Sequence, residues 1–276
     1  MLTVEIDLNH FSETYQRGFP VLPTPGGSTQ TKLLRRWLKW CDRYHDCGPT
    51  KVLMPQRLID VSPGEAYDYR GRGESVTLRL DCNNKRNDTR FVALTHRWGD
   101  PSLHGGFHSL SHGKLERWKT HLDLRMLPQT FQDAVKITRG LGIRYLWIDA
   151  LCIIQDDPED LQAQIGKMEN VFRCAYVTLS ATCATGSDDG FLKTDRKIRR
   201  HYPISYANQL GSLDTIYLCD PIDDFERHVE QSALSQRGWV FQERALSRRI
   251  IHFTEVQVYW ECGKGIRCET LSSQHK

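Results

Sequence analysis

The feature that most constrains the fold is an alternation of short apolar runs with amphipathic segments, which begins near Arg90. The runs at Phe91–Thr95, 145–149 and 175–181 are rich in β-branched and aromatic residues and predict buried strands. The segments between them place apolar residues at helical spacing. Strand–helix–strand alternation is typical of an α/β fold, and it predicts a mostly parallel sheet flanked by helices.

Two of the predicted helices have recognisable ends. In segment 127–142, Thr130 is placed to cap a helix, Asp133 follows three residues later as in a capping box, and Gly142 can end the helix. Asp157 followed by Pro158 predicts the start of a second helix. An amphipathic stripe then continues through Leu161, Ile165, Met168 and Phe172.

The two ends of the chain differ from this central pattern. We expect residues 1–86 to form an N-terminal extension with a helix around 31–44, after a Pro/Gly-rich loop. Residues 87–276 would form the main domain, with its core motifs at 90–262. The last apolar runs, RIIHF and VQVYWEC, predict a closing β-hairpin that turns near Glu255.

Composition excludes several classes of protein. Hydrophobic content of 39% and charged content of 26% are those of an ordinary soluble domain, and a net charge of +3 is too small to predict nucleic-acid binding. No run reaches the roughly 18 apolar residues of a membrane span. The first seven residues hold two acids and no basic segment, unlike a secretory signal. We therefore expect a cytoplasmic protein with reduced cysteines.

One group of residues has metal-binding chemistry without a familiar spacing. Cys41, His45 and Cys47 follow a C-x3-H-x-C pattern, which is not a usual zinc motif. We therefore expect buried thiols and a surface histidine, with no bound metal. A fourth ligand would have to come from Cys82, Cys262 or Cys268, if the fold brings one of them near.

Three sequence blocks, taken together and in order, resemble the HET (heterokaryon incompatibility) family of filamentous fungi. Each block alone is weakly diagnostic, whereas all three in order are specific. In the first block, Thr95 and His96 stand where the family has Ser and Tyr. The resemblance implies a part in fungal allorecognition and programmed cell death. The blocks are FVALTHRWG at 91–99, LPQTFQDAVKITRGLGIRYLWIDALCIIQDD at 127–157, and RGWVFQERALSRRIIHF at 237–253 followed by YWEC at 259–262.

The HET family in turn resembles TIR domains, which build signalling assemblies and in several lineages cleave NAD. This likeness implies a TIR-like sheet and self-association, together with an upstream sensor or allelic partner. It implies NAD as a possible substrate and requires no other cofactor. Thr95, His96 and Arg97 match a Ser-Tyr-Arg-like turn of TIR domains, and with Trp98 they are candidate substrate-binding residues. Trp239 and Glu243 reproduce a Trp and Glu that lie four residues apart on a helix.

The implied chemistry is consistent with these residue types. Nicotinamide leaves NAD as a neutral molecule, so no general acid is needed, and the oxocarbenium-like transition state can be stabilised by one carboxylate. Glu243 is the candidate for that carboxylate, and Trp239, four residues earlier, shares its helical face. Arg97 suits a pyrophosphate because guanidinium donates in a fork. Asp149 lies at the same predicted edge of the sheet, where open α/β folds bind ligands.

Each of these residues also has a structural interpretation, and a non-catalytic interaction domain would have the same fold. His96 keeps open a third possibility, acid–base chemistry on another small molecule. The exposure of Glu243 discriminates between the first two, because an enzyme needs this carboxylate open to a cleft. The structural alternatives are core packing for Trp239, pairing of Glu243 with Arg244 or Arg248 or capping of neighbouring backbone by Glu243, a turn or helix cap at Asp149, a solvated side chain or an ion pair for Arg97, and a turn anchored by Trp98.

Overall fold

A computed structural model describes residues 19–48, 53–62, 75–80, 89–100, 109–194, 202–207, 211–218 and 223–270. These residues form a mixed α/β fold with one nine-stranded sheet and one separate pair of strands. The strands are β1 (Arg57–Asp60), β2 (Ser75–Leu80), β3 (Phe91–Thr95), β4 (Leu122–Asp123), β5 (Tyr145–Trp147), β6 (Val177–Ser180), β7 (Tyr202–Ala207), β8 (Leu213–Leu218), β9 (Arg249–Phe253), β10 (Val258–Cys262) and β11 (Gly265–Cys268).

Helices connect and cover these strands. The helices α1 and α3 pack against each other, as do α6 and α7. A short 3-10 helix at Leu124–Met126 and a π-helix at Glu226–Glu230 complete the described elements. The α-helices are α1 (Ser28–Tyr44), α2 (His112–Thr120), α3 (Gln129–Leu141), α4 (Asp149–Cys152), α5 (Pro158–Ile165), α6 (Met168–Cys174) and α7 (Gly238–Leu246).

The large sheet is parallel only at its centre. Its order is β11-β10-β9-β6-β3-β5-β1-β2-β4, and the pairs β5–β3, β3–β6 and β6–β9 are parallel. Every other pair of strands in this sheet is antiparallel. The prediction of a mostly parallel sheet is therefore wrong at both edges. The physical reason is clearest at β9, β10 and β11, because strands joined by tight turns can pair only in the antiparallel sense.

The parallel centre has a doubly wound order. From β3 the chain moves to β5 on one side, and it then returns to β6 on the other side and continues to β9. The direction of winding thus reverses between β3 and β6, which is the switch point where open α/β sheets bind ligands at the carboxyl ends of their strands. The strands β3, β6 and β9 are buried at every position, so both faces of the sheet are covered here.

Two predicted helix ends are confirmed. Gly142 ends α3 in the left-handed conformation, at φ 75°, where a side chain would be strained. Asp157 caps α5, because its carboxylate accepts hydrogen bonds from the backbone N–H groups of Glu159 and Asp160.

The predicted capping box at Thr130 is wrong. The α3 helix begins at Gln129, and the Thr130 hydroxyl donates to the Gly186 carbonyl 3.1 Å away. Asp133 accepts instead from the backbone N–H groups of Phe191 and Leu192, at 2.8 and 2.9 Å. Both side chains thus form hydrogen bonds with backbone groups of a loop that is distant in sequence. These tertiary hydrogen bonds replace the local capping pattern.

Two further boundaries differ from the predicted ones. The stripe from Leu161 to Phe172 is divided between α5 and α6, because the chain leaves the helix around Gly166, a poor helix former. The strand predicted at 145–149 ends at Trp147, and Asp149 begins the short helix α4. Asp149 therefore lies just beyond the carboxyl end of β5.

The regions before and after the central pattern contribute strands to opposite edges of the large sheet. The predicted N-terminal helix is present as α1, and the predicted closing hairpin is present as β9 and β10, extended by β11. A boundary at residue 86 stays a prediction, and β1 and β2, which precede that residue, pair within the main sheet. No helix in the described ranges is long and apolar enough to cross a membrane.

The buried carboxylate of Asp133 gives a test of this fold. We expect Asp133→Ala to lower the free energy of unfolding by about 3 kcal/mol, because two interior backbone N–H groups lose a charged acceptor. Asp157→Ala, which removes the cap of α5, is the matched control and should cost about 1 kcal/mol. Urea unfolding measures both variants, and equal losses would contradict the role given to Asp133.

Candidate functional site

The parallel register of the central strands assembles the candidate site. Ala93 of β3 is paired with Trp147 of β5, so Thr95 and Asp149 each lie two residues farther along neighbouring strands. Thr95 is also paired with Ser180 at the end of β6. The carboxyl edge of the sheet therefore brings Thr95 and Asp149 together, beside the switch point between β3 and β6.

Asp149 is held in place by several contacts. One carboxylate oxygen accepts from the Trp98 indole N–H at 2.7 Å, and the other accepts from the Ala150 backbone N–H at 2.7 Å. The His96 Nδ1 atom lies 3.9 Å from that second oxygen. Asp149 thus begins a helix, as one structural alternative proposed, and it also anchors the Trp98 side chain at the site.

His96 is a buried, uncharged ring. Its imidazole packs edge-on against Phe131, with 5.0 Å between ring centroids, and within the described residues its Nε2 atom has no hydrogen-bond partner. Burial lowers the pKa of His96 below its ordinary value; Asp149 opposes this shift and Arg237 adds to it. A neutral imidazole at neutral pH favours a role in shaping the site over a role as a proton donor.

Glu243 brings a second carboxyl group to the same edge. It is half-buried on α7, and burial raises its pKa to about 7. The Thr95 hydroxyl lowers the pKa by facing the carboxylate as a donor, although its hydrogen-bond geometry is poor. The negative charge of Asp149 raises the pKa further, and the positive charge of Arg237 lowers it. The two acids are therefore close enough to repel each other.

Glu243 does not form the ion pair with Arg244 or Arg248 that was one structural alternative. Arg244 makes a two-pronged contact with Glu261, with both N–O distances at 2.9 Å. Arg248 donates to the Gly48 carbonyl at 2.8 Å. Neither arginine is directed to Glu243, so the Glu243 carboxyl is not neutralised by the partners that the sequence suggested.

The remaining predicted residues divide into two groups. Trp98 is partly exposed at the site, and its carbonyl accepts from the Ser187 N–H and hydroxyl. Arg97 is half-buried, and no described residue pairs with it, so an ion-pair role is not what the structure shows. Trp239 is 64% exposed, so it does not pack in the core. The structure thus joins Trp98 to Asp149 but leaves Trp239 open to solvent.

Arg237 is a functional candidate that sequence reasoning missed. Its guanidinium lies 3.4 Å from the His96 carbonyl, and its charge acts on both His96 and Glu243. The residue directly precedes α7 and opens the third sequence block, which was the available signal. The contact of Arg237 with His96 depends on how α7 packs beside the end of β3, and no sequence pattern predicts that packing.

The electrostatic balance of the site favours a ligand with a positive centre. The negative charge of Asp149 acts on the Glu243 carboxyl group, and Arg237 is the cation among the described residues whose charge opposes it. A cationic group between the acids would relieve their repulsion and favour the ionised form of Glu243. Arg97 offers a separate donor for an anionic part of the same ligand.

Comparison with known proteins identifies one family. Residues 91–243, more than half of the chain, match the family described as "Heterokaryon incompatibility protein (HET)". No curated protein and no solved structure gives a significant match. The matched span begins with β3 and ends at Glu243, so it includes every residue of the site described above.

The raised pKa of Glu243 can be tested directly. Carbon-detected NMR of labelled glutamate side chains should give Glu243 a midpoint near pH 7, against an ordinary value of 4.5. Asp149→Asn should lower this midpoint by removing a like charge, and Thr95→Val should raise it by removing a donor. A midpoint that stays near 4.5, or that neither variant moves, would contradict this electrostatic description.

The same shift predicts a pH dependence of stability. Because the folded-state pKa of Glu243 lies above its unfolded value, its contribution is fully present below pH 4.5 and is lost as the pH rises through about 7. Glu243→Gln cannot ionise, so the variant should gain stability relative to the wild type between pH 5 and pH 8. Urea unfolding at several pH values measures this difference, and a constant difference would refute the assignment.

Proposed function

Because the chain belongs to the heterokaryon incompatibility family, we propose that it acts in fungal allorecognition and programmed cell death, and that it hydrolyses NAD⁺. Family membership implies the role in heterokaryon incompatibility. The single observation that supports hydrolysis is the position of Glu243, an unneutralised carboxyl beside Asp149 at the carboxyl edge of the parallel strands. The products would be nicotinamide, an ADP-ribose product and a proton.

The charge of the substrate matches the charge of the site. NAD⁺ carries a pyridinium cation, and during cleavage this charge moves to the ribose carbon as the bond to nicotinamide breaks. Asp149 and Glu243 together would hold that cation, and Glu243 would stabilise the ribosyl transition state. Water then adds to the ribose carbon and loses a proton. Burial of Glu243 strengthens the interaction because the local dielectric constant is low.

Two residues at the end of β3 would bind the rest of the substrate. Arg97 has no partner among the described residues, and its guanidinium suits a pyrophosphate. The Trp98 indole is fixed by its bond to Asp149 and partly exposed, so one ring face can stack on a planar group. We propose these roles for Arg97 and Trp98 and none for Trp239, whose side chain is open to solvent.

The topology of the large sheet supports a TIR-like fold. The strands β5, β3, β6 and β9 have the doubly wound order of flavodoxin-like sheets, which bind ligands at the switch point. The motif residues Thr95, His96 and Arg97 end the first of these strands. A TIR-like fold remains part of the proposal, since topology alone does not establish an activity.

A second function, self-association, is favoured by a different observation. Trp239 and Phe241 of α7 are 64% and 71% exposed, and large exposed aromatic side chains are typical of protein interfaces. They lie on the helix that carries Glu243, so an assembly through α7 would cover or complete the site. A non-catalytic adaptor would use this surface alone. An upstream sensor or allelic partner and a cytoplasmic location complete the proposal.

The catalytic part is tested by nicotinamide release from NAD⁺ at high protein concentration. Glu243→Gln keeps the shape of the side chain and should lower the rate by about 100-fold or more, because charge stabilisation is lost. Glu159→Gln, an exposed glutamate in the first turn of α5, is the matched control and should keep the wild-type rate. Equal rates for the wild type and Glu243→Gln, or no release by assembled wild type, would refute hydrolysis.

The self-association surface has its own test. Sedimentation velocity over a range of concentrations should show assembly of the wild type, and Trp239→Ala with Phe241→Ala should shift the chain to monomer. Tyr202→Ala removes an aromatic ring of similar exposure on β7 and should leave assembly unchanged. Assembly that survives the double substitution would exclude α7 as the interface.

A further inference from the structure

A cluster of sulfur and imidazole groups lies outside the family-matched span. The ligand atoms of Cys41, His45, Cys47 and Cys262 all lie within 4.8 Å of one another. The sequence left the fourth member open, and the structure places Cys262 beside the other three. Of the other two candidates, Cys268 lies in a second buried cluster with Tyr259 and Val229, and Cys82 lies outside the described residues.

We propose that Cys41, His45, Cys47 and Cys262 bind one structural Zn²⁺ ion. Three thiolates and one imidazole form a common zinc ligand set. With bonds of about 2.3 Å to sulfur and about 2.0 Å to nitrogen, the ligand atoms of a tetrahedral site lie about 3.5–3.8 Å apart. The Cys262 sulfur already lies 3.4 Å from the His45 Nδ1 atom. Small side-chain rotations would therefore close the site.

The fold itself brings the four ligands together. Cys41 and His45 are four residues apart at the end of α1, and the His45 backbone N–H donates to the Cys41 carbonyl at 2.9 Å. Cys47 follows two residues later, and Cys262 is the last residue of β10. The chain therefore presents three ligands from the end of one helix and the fourth from a strand end.

Contacts apart from the ligands hold α1 against the C-terminal strands. Asp42 pairs with Arg249 of β9 at 2.7 Å, and Trp37 packs against Trp260 of β10 with ring centroids 6.5 Å apart. These contacts fix the end of α1 beside the end of β10 whether or not a metal is bound. The ligand cluster is therefore preorganised, which reduces the ordering cost of binding.

Neighbouring groups also orient the histidine. The Trp40 ring meets the His45 imidazole edge-on, with 4.4 Å between ring centroids. The Arg267 guanidinium carbon lies over the Trp40 ring, 3.7 Å from the ring centroid. Groups behind the ligands that fix ring orientation are typical of metal sites. The Nδ1 atom that faces Cys262 would be the coordinating nitrogen.

Other uses of these groups explain less of the arrangement. A disulfide would use two of the sulfur atoms and would not explain why the third sulfur and the imidazole lie beside them. Four protein ligands leave no open position for water or substrate, which indicates a structural ion and not a catalytic one. The ion would join α1, before residue 91, to β10, after residue 243, and so fasten both flanks of the family-matched span.

The test uses the full chain purified without added metal. Elemental analysis should find about one zinc per chain, and Co²⁺ exchanged into the site should give the visible absorption of tetrahedral thiolate coordination. Cys262→Ser and His45→Ala should lose most of the zinc. Cys174→Ser alters a buried cysteine of α6 outside the cluster and should retain it. Cys262→His, which supplies another ligand, should restore binding if Cys262→Ser folds poorly.

Stability gives a second readout that does not depend on any activity. A strong chelator should lower the melting temperature of the wild type and of Cys174→Ser, and it should have little effect on Cys262→Ser. The proposal is overturned if the wild type contains no zinc and binds neither added Zn²⁺ nor Co²⁺. It is also overturned if thiol alkylation before purification reveals a Cys41–Cys262 disulfide, or if Cys174→Ser loses zinc as fully as Cys262→Ser.

Discussion

The parallel pairing of β3 with both β5 and β6 is the constraint on which the rest of the structure depends. It sets Thr95 and Asp149 at the same height on neighbouring strands and creates the switch point of the sheet. The antiparallel strands at both edges, by contrast, extend the sheet and join the ends of the chain to it. The α7 helix then leads into β9, and its packing brings Glu243 to Thr95 and Asp149. The positions of Thr95, Asp149 and Glu243 at the edge of the sheet therefore determine which charges act on one another.

Because Glu243 and Asp149 share this edge, burial and mutual repulsion keep part of the Glu243 population protonated near neutral pH. A ligand with a cationic ring removes that repulsion, whereas a neutral ligand of the same shape does not. The charge on a ligand therefore affects the site, and this response is the reason that we propose cleavage of a pyridinium–ribose bond. The exposed Trp239 and Phe241 place a possible contact surface on the same helix. Catalysis and assembly would then depend on one structural element.

Local signals in the sequence predicted local structure well. The bounds of β3, the cap at Asp157 and the helix end at Gly142 all follow from residue types and spacing. Features that depend on distant partners were not predictable. Thr130 and Asp133 satisfy the loop at 186–192, the edge strands are antiparallel, and Trp239 faces solvent where an apolar residue suggested packing. Arg237 and the meeting of Cys262 with Cys41 likewise depend on how α7 and α1 pack against the sheet.

The most direct test of the account is calorimetric titration with a carbocyclic analogue of NAD⁺, which keeps the pyridinium charge and cannot be hydrolysed, against NADH, whose nicotinamide ring is neutral. Measurements near pH 7 in buffers of different ionisation enthalpy count the protons released on binding. The account predicts net proton release with the analogue and none with NADH, because only a cation ionises the protonated fraction of Glu243. Equal proton release for the two ligands, or release that persists in Glu243→Gln, would contradict it.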